Sequence, residues 1–325
     1  MSIAAPTRPA AARRQPPTVG RPELAIEVEH LQKRYGKKPA VSDVCFSAAR
    51  GEIFGILGPN GAGKTTTVEA LQGLRAADGG RVRVLGLDPQ RDRRELRRRI
   101  GSQLQASALP DRLKVWEALD LFGSLTPSGG DPLAALERWG LADQRNTSFG
   151  GLSGGQRQRL FVALALLGSP EVVFLDELTQ GLDPAARRVA WGLIHEIRDR
   201  GTTVILVTHY MDEAEQLADR LAVIDQGRVV ATGTAQELIA RSQDGIRVRF
   251  STDQHDITFL EAIDGVREIQ RRGPHVEVHG TGPVLALVGA ALVDRGIVPT
   301  DLHAQQPTLE DAYMQLVNHQ TTEDR

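Results

Sequence analysis

Four short stretches of this 325-residue chain carry residue types that can handle phosphate. Gly58-Pro59-Asn60-Gly61-Ala62-Gly63-Lys64-Thr65, followed by Thr66, has the form G-x-x-x-x-G-K-[ST]. Only a loop with little Cβ bulk can turn successive backbone N–H groups onto a phosphate. The lysine then reaches the terminal phosphates, and the Thr65 hydroxyl ligates Mg²⁺. The apolar run Val172-Val173-Phe174-Leu175 ends in Asp176-Glu177. A buried strand accounts for the apolar part, but not for two adjacent carboxylates at its C-terminal end, where α/β sheets bind ligands. Beside a phosphate loop the first acid suits support of Mg²⁺, and the second suits polarising an attacking water. Thr208-His209 also ends a strand-like run. A lone histidine is more often structural, yet on a sheet edge that carries Lys64 and Asp176 a contact to the terminal phosphate is the better reading. Lastly, Leu152-Ser153-Gly154-Gly155-Gln156 opens a helical run in the form of an anion-binding helix N-terminus. A chain that already holds a phosphate loop has no evident use for a second such site of its own.

The elements that must carry these residues follow from periodicity. Residues 24–28, 41–48 and 52–57 pattern as strands, the last leading into the phosphate loop. Residues 65–74 have helical spacing and stop at Gly73 and the Asp78-Gly79-Gly80 turn. Residues 81–85 alternate as a strand, and 91–99 form a basic helix whose simplest role is a solvated face. The pattern over 113–139 is helical, broken by a loop at 126–132, and 157–167 is an apolar helix. Strands over 171–176, 202–208 and 220–225 are separated by helices over 184–200 and 210–218. Such alternation gives a parallel sheet with helices on both faces. Near residue 244 the character changes. Strands at 246–250, 266–271, 275–278 and 298–303, with helices at 257–263 and 283–295, spell the β-α-β-β-α-β order of a ferredoxin-like unit. A last helix over 308–318 has Thr308 as its cap. The expected division is a disordered tail at 1–22, a nucleotide-binding domain at 23–243 and a small accessory domain at 244–325.

Composition bounds the function from outside. A formal net charge of −2 argues against nucleic-acid binding driven by bulk positive charge. With 41% apolar and 25% charged residues, the chain has ordinary globular usage and can build a sizeable core. No segment reaches the length needed to span a bilayer, and the Pro- and Arg-rich N-terminus lacks the apolar stretch of a secretory signal. The expected location is therefore cytoplasmic, with any membrane role borrowed from a partner. Cys45, the single cysteine, lies in Val44-Cys45-Phe46 and is expected to be a small core residue.

Over residues 24–240 the order of these motifs resembles the ATP-binding subunits of ATP-binding-cassette (ABC) transporters. The resemblance implies a phosphate-loop NTPase cassette of ABC type: a parallel sheet core, antiparallel N-terminal strands, a helical signature subdomain and, here, the ferredoxin-like α+β appendage. It assigns Tyr35 to adenine stacking and residues 58–66 to the phosphates of ATP. Thr65, Gln105 and Asp176 fall to Mg²⁺, Glu177 to the catalytic base and His209 to a switch at the terminal phosphate. Gln105 also relays to the membrane subunit, although Gln103-Leu104-Gln105 leaves its register open by two residues. Leu152, Ser153, Gly154, Gly155 and Gln156 match the family signature, and Asp183 the loop after the acidic strand. In this family two cassettes pair head to tail, and each ATP lies between one chain's phosphate loop and the other's signature. The second anion site is thereby meant for a neighbour. A second copy of the chain and a separate multi-span permease are the implied partners, with no nucleic acid. The ending Pro307-Thr308-Leu309-Glu310-Asp311-Ala312-Tyr313 resembles the daunorubicin- and multidrug-type exporters, with a dimer-stabilising or a regulatory role for the appendage. Leu178 and Gln180 stand where the family more often has Pro and Ser. The competing readings are a soluble ABC-type ATPase of DNA repair or translation, and a nucleotide-binding regulator that does not hydrolyse. Single-cassette length, the lone cysteine and the lack of a heptad run weigh against the first. Intact Glu177 and His209 weigh against the second.

Overall fold

The computed structural model describes residues 23–103, 108–126, 129–241 and 245–323. The expected tail, Gln105 and the expected boundary between residues 243 and 244 lie outside them. The chain opens with an antiparallel hairpin, β1 (Leu24–Tyr35) and β2 (Lys38–Ala49), then runs through β3 (Ile53–Leu57) and the phosphate-loop residues into α1 (Lys64–Leu71). It continues through β4 (Gly79–Val84), α2 (Arg93–Leu96) and β5 (Ile100–Gln103), then α3 (Val115–Leu125), α4 (Pro132–Arg138) and α5 (Gly154–Leu166). Next come β6 (Val172–Asp176), α6 (Pro184–Asp199), β7 (Thr203–Thr208), α7 (Met211–Leu217), β8 (Arg220–Asp225), β9 (Arg228–Gly233) and α8 (Ala235–Arg241). These strands form one nine-stranded sheet in the order β4-β1-β2-β9-β8-β3-β7-β6-β5. From β8 to β5 the pairing is parallel, whereas β1 pairs antiparallel with both β2 and β4.

Burial on two faces explains why the central strands read as unbroken apolar runs. Every residue of β3, β6 and β7 is buried. Alternate side chains serve opposite layers. Phe54, Ile56, Phe174, Ile205 and Val207 pack with Val68 and Leu71 of α1 and with the β1–β2 hairpin. Ile53, Val173, Leu175, Val204 and Leu206 pack with Leu119 of α3, Leu160 of α5 and Ile194 of α6. The register then brings the strand ends together, pairing Leu57 with Thr208, Asp176 with Val207 and Gln103 with Leu175.

The C-terminal part builds a second sheet from β10 (Ile246–Ser251), β11 (Val266–Arg272), β12 (His275–Gly280) and, after α9 (Val284–Asp294), β13 (His303–Gln305). Its order β11-β12-β10-β13, antiparallel throughout, is that of a ferredoxin-like unit. Val248, Phe250, Val276 and Val278 pack beneath Val284, Val288 and Leu292 of α9. The last helix, α10 (Leu309–Glu323), starts after a reciprocal cap between Thr308 and Asp311. It leaves this sheet and packs Leu309 and Tyr313 against Ala214, Leu221 and Leu238.

Several expectations shift. β1 runs to Tyr35 rather than stopping at residue 28, because bulges at residues 28–34 scramble its alternation. The basic helix at 91–99 shrinks to α2, since among its positions only Leu96 has an apolar face to bury. The helix at 257–263 is a 3₁₀ turn over Thr258–Ala262, and the strand at 298–303 is displaced to β13. β5, β9 and α8 are additions to the expected set. Phe250→Ala should cost about 3–5 kcal/mol by opening a cavity in the second core. We expect amide hydrogen exchange in β10–β13 to accelerate while β3, β6 and β7 stay protected; equal loosening of both sheets would mean a single cooperative unit.

Candidate active site

The phosphate-loop residues begin where β3 stops, against neighbours that leave no space for side chains. A Cβ on Gly58 would lie 2.1 Å from the carbonyl oxygen of Ile224, and one on Gly63 would lie 2.5 Å from that of Ala40. Gly63 also has φ = 103°, a region open to glycine but strained for other residues. α1 starts at the next residue with no side-chain cap, so its first N–H groups, those of Lys64, Thr65 and Thr66, keep their donor capacity for an anion. Pro59, Asn60, Gly61 and Thr65 are exposed and Ala62 is buried. Lys64 is itself buried, and its Nζ donates to the carbonyl oxygens of Gly58 (2.8 Å) and Pro59 (3.0 Å). Burial lowers its pKa, while the charges of Glu177 and Asp176 act in the opposite sense.

Across β7 lie the two acids, both buried. The Asp176 carboxyl is pushed up to about 6, first by burial and then by the negative charge of Glu177, against a lowering pull from Lys64. Glu177 turns out of the strand in a left-handed conformation (φ 50°) that non-glycine residues rarely adopt. Its N–H donates to the Val207 carbonyl at 2.9 Å, and its Oε1 lies 2.9 Å from Nδ1 of His209. Lys64, Asp176, Glu177 and His209 thus converge on one sheet edge. A buried, partly uncompensated carboxylate pair beside a glycine cradle fits a divalent cation with a polyphosphate, because the cation supplies the missing positive charge.

Ser153 to Gln156 form a separate start. Ser153 caps α5: its Oγ accepts from Gln156 N–H at 3.3 Å, and Gln156 Oε1 accepts from Ser153 N–H at 2.9 Å. Leu152 is buried beneath them. Gly154 and Gly155 border an open hollow of ≈ 670 Å³ with Asp143, Arg159 and Asp183, and no residue of the phosphate loop lines it. Added Cβ atoms there would meet only ordinary contacts, 3.7 Å from Leu182 and 3.9 Å from Ala186. The chain's own packing therefore gives no reason for two glycines at this helix start.

Comparison with known proteins gives the family. Residues 41–180 match the family model described as ABC transporter. The daunorubicin resistance ATP-binding protein DrrA3 of Streptomyces coeruleorubidus is 39% identical over 320 residues, covering 93% of this chain and 98% of that protein. The chain belongs to the ABC transporter ATP-binding family. The Nod factor export ATP-binding protein I of Paraburkholderia xenovorans is 42% identical over 224 residues, covering 67% of this cassette chain and 74% of its own. A solved structure titled as the ATP binding subunit of an ABC transporter superposes with a TM-score of 0.60 at 26% identity, over 67% of this chain and 92% of that one.

Within the cassette, the remaining expected residues spread out. Tyr35, at the end of β1, is exposed, with the Arg75 guanidinium 5.1 Å from its ring centre. Asp183 caps α6, accepting from Ala185 and Ala186 N–H at 2.9 Å each. Gln103 is buried at the end of β5, while Gln105 lies outside the described residues. Leu178 is fully buried in the core under α5 and α6, and its carbonyl accepts from Gln158 Nε2. An apolar residue fits there, and the neighbouring Gln180 is exposed. Sequence reasoning missed Glu213. Fully buried on α7, it accepts from Thr179 Oγ1 at 2.8 Å, and burial raises its pKa. It ties the segment after the acids to the helix after His209. In Met211-Asp212-Glu213-Ala214-Glu215 nothing but the 3.6-residue period singles it out.

Asp176 gives the nucleotide-free cassette a pH dependence. Its folded pKa of about 6 lies above the ordinary aspartate range, so the folded chain holds the extra proton between those limits and stability falls as pH rises through them. Asp176→Asn should stabilise the folded chain at pH 7 by on the order of 3 kcal/mol, and by well under about 1 kcal/mol at pH 4. Denaturant unfolding at the two pH values checks this; a pH-independent gain would refute the assignment.

Proposed function

We propose that this cassette is the ATP-hydrolysing, energy-coupling subunit of an exporter of drugs or other small molecules. It works as a head-to-tail pair of identical chains on a separate multi-span membrane permease, at the cytoplasmic face of the cell membrane. The carrying observation is that one chain holds two glycine-bearing helix starts, at Lys64 and at Gly154, and that the hollow at Gly154 and Gly155 has no phosphate-loop residue in its lining. A closed two-fold dimer gives each start a partner. Near full-length similarity to a daunorubicin resistance protein supports the exporter reading. The relatives named for resistance or export leave the DNA-repair and translation alternative without an observation in its favour. Among the described residues no helix is long and apolar enough to cross a membrane, which agrees with a separate permease.

In this reading Tyr35 stacks on the adenine, and the loop over residues 58–66 holds the phosphates through its N–H groups and Lys64. Thr65, Asp176 and Gln105 would hold Mg²⁺, which when bound neutralises phosphate charge. Lys64 exchanges its bonds to the Gly58 and Pro59 carbonyls for phosphate oxygens. Glu177 acts as general base on the attacking water, and His209 fixes the carboxylate through Oε1 and senses the terminal phosphate. The signature residues Leu152, Ser153, Gly154, Gly155 and Gln156 present the N-terminus of α5 to the partner's ATP, with Asp183 beside them at the dimer surface. Closing the pair on ATP and reopening it after hydrolysis supplies the stroke to the permease.

Glu177→Gln should keep ATP binding and lose turnover, leaving an ATP-bound dimer visible as doubled mass by light scattering. Turnover at the unmodified rate would remove Glu177 from the base role. For the shared site, Gly154→Asp puts a carboxylate where the partner's phosphate belongs, and Lys64→Ala weakens the chain's own site by roughly tenfold or more. Each variant alone should be inactive. In a mixed dimer one composite site carries both defects and the other carries neither, so partial ATPase activity should return on mixing. A Gly154→Asp chain whose monomer cannot bind ATP would overturn the shared-site reading.

A further inference from the structure

Away from the nucleotide site, β1 and β2 bring together three side chains that the cassette chemistry does not use. Val28 pairs with Phe46 and Leu31 with Val44, so Glu29 and His30 on β1 stand opposite Cys45 alone. Two residues facing one is a bulge. Within it His30 takes a left-handed backbone (φ 51°), uncommon for residues other than glycine, though histidine, asparagine and aspartate adopt it more readily than the rest. The bulge is locked from behind: a Cβ on Gly80 would lie 2.2 Å from the His30 carbonyl oxygen, so the β4 turn presses directly on it.

The bulge turns the His30 ring over β2. Its Nδ1 lies 2.9 Å from Asp43 Oδ1 and 3.6 Å from Cys45 Sγ, and Cys45 Sγ is 3.7 Å from Asp43 Oδ1. The His30 N–H donates to Cys45 Sγ at 3.1 Å. Asp43 and Cys45, two apart on a strand, share a face opposite buried Val44 and Phe46. Cys45 is therefore not the core residue its apolar neighbours imply: it is half-buried, beside exposed His30 and Asp43. An ion pair between His30 and Asp43 does not need a sulfur within reach of both groups.

We propose that His30 Nδ1, Asp43 Oδ1 and Cys45 Sγ form a Zn²⁺ site with a fourth position left to solvent. All three donor atoms lie within 4.8 Å of one another. Tetrahedral zinc, with Zn–S near 2.3 Å and Zn–N or Zn–O near 2.0–2.1 Å, sets sulfur roughly 3.6 Å from each lighter donor and the lighter donors about 3.3 Å apart. The two sulfur distances already match, and the His30–Asp43 contact has only to open from a hydrogen bond as the proton leaves. Thiolate with imidazole selects Zn²⁺ over Mg²⁺ or Ca²⁺, so the site does not compete with the Mg²⁺ expected at Asp176. Binding ties β1 to β2 at the bulge, five residues before Tyr35.

Co²⁺ titration of the untagged full chain tests this, because tetrahedral thiolate–cobalt absorbs in the near ultraviolet and Cys45 is the only cysteine. The expected result is a saturable sulfur-to-cobalt band that Zn²⁺ abolishes by displacement. Cys45→Ser should lose the band. His30→Ala and Asp43→Asn should each weaken binding by more than about tenfold, the loss that even outer-sphere partners cause. Asp176→Asn should retain the band at full strength, separating this site from the nucleotide site. Circular dichroism and ATP binding, unchanged in the three variants of the cluster, establish that they fold. Absence of the band at saturating Co²⁺, or its survival undiminished in His30→Ala, overturns the proposal.

Discussion

Two neighbouring carboxylates held out of water repel each other and lose hydration, and most of the cassette's architecture answers that constraint. The sheet removes water from Asp176 and Glu177 by burying β6 and β7 on both faces. It offsets the cost unevenly. Asp176 shifts toward its protonated form, while the Glu177 carboxylate lies against the His209 ring. Lys64 lies near enough to influence both acids, yet spends its own hydrogen bonds on the phosphate loop's carbonyls. Two buried acids beside a lysine and a glycine cradle suit a ligand that carries a divalent metal and phosphate together.

The same strand register explains why the residues converge. β7 lies between β3 and β6, so the chain ends after Leu57, Asp176 and Thr208 emerge side by side. No loop has to reach far. The glycines at positions 58 and 63 let the first of these ends pass against Ile224 and Ala40, and the buried pair Thr179–Glu213 braces the other two from behind.

Much of this was legible in the residues themselves. The parallel core announces itself because strands buried on both faces, such as Val172 to Leu175, must be apolar at every position. The motif residues stand out because phosphate chemistry demands glycine, lysine and acid at fixed spacing. What resisted reading was set by tertiary contact. The bulge at His30 destroys the alternation that would extend β1. Thr258–Ala262 wind as a 3₁₀ turn, which carries the same short-range pattern as a helix. Cys45 looks like core between Val44 and Phe46, and only strand pleating turns it to the other side. Glu213 resembles its solvated neighbours until α7 docks.

The docking of α10 gives the appended sheet a mechanical connection to the nucleotide edge. Leu309 and Tyr313 share a core with Ala214 of α7, and the Leu309 N–H approaches Glu215 Oε2 at 3.4 Å. That helix begins two residues after His209 and carries Glu213, which grips Thr179. One short rod therefore has the C-terminal helix on one flank and the His209 segment on the other. Any rearrangement that tilts α7 when the nucleotide edge changes state must be felt by α10. By thermodynamic reciprocity, whatever stabilises one seating of α10 biases the histidine end by the same free energy.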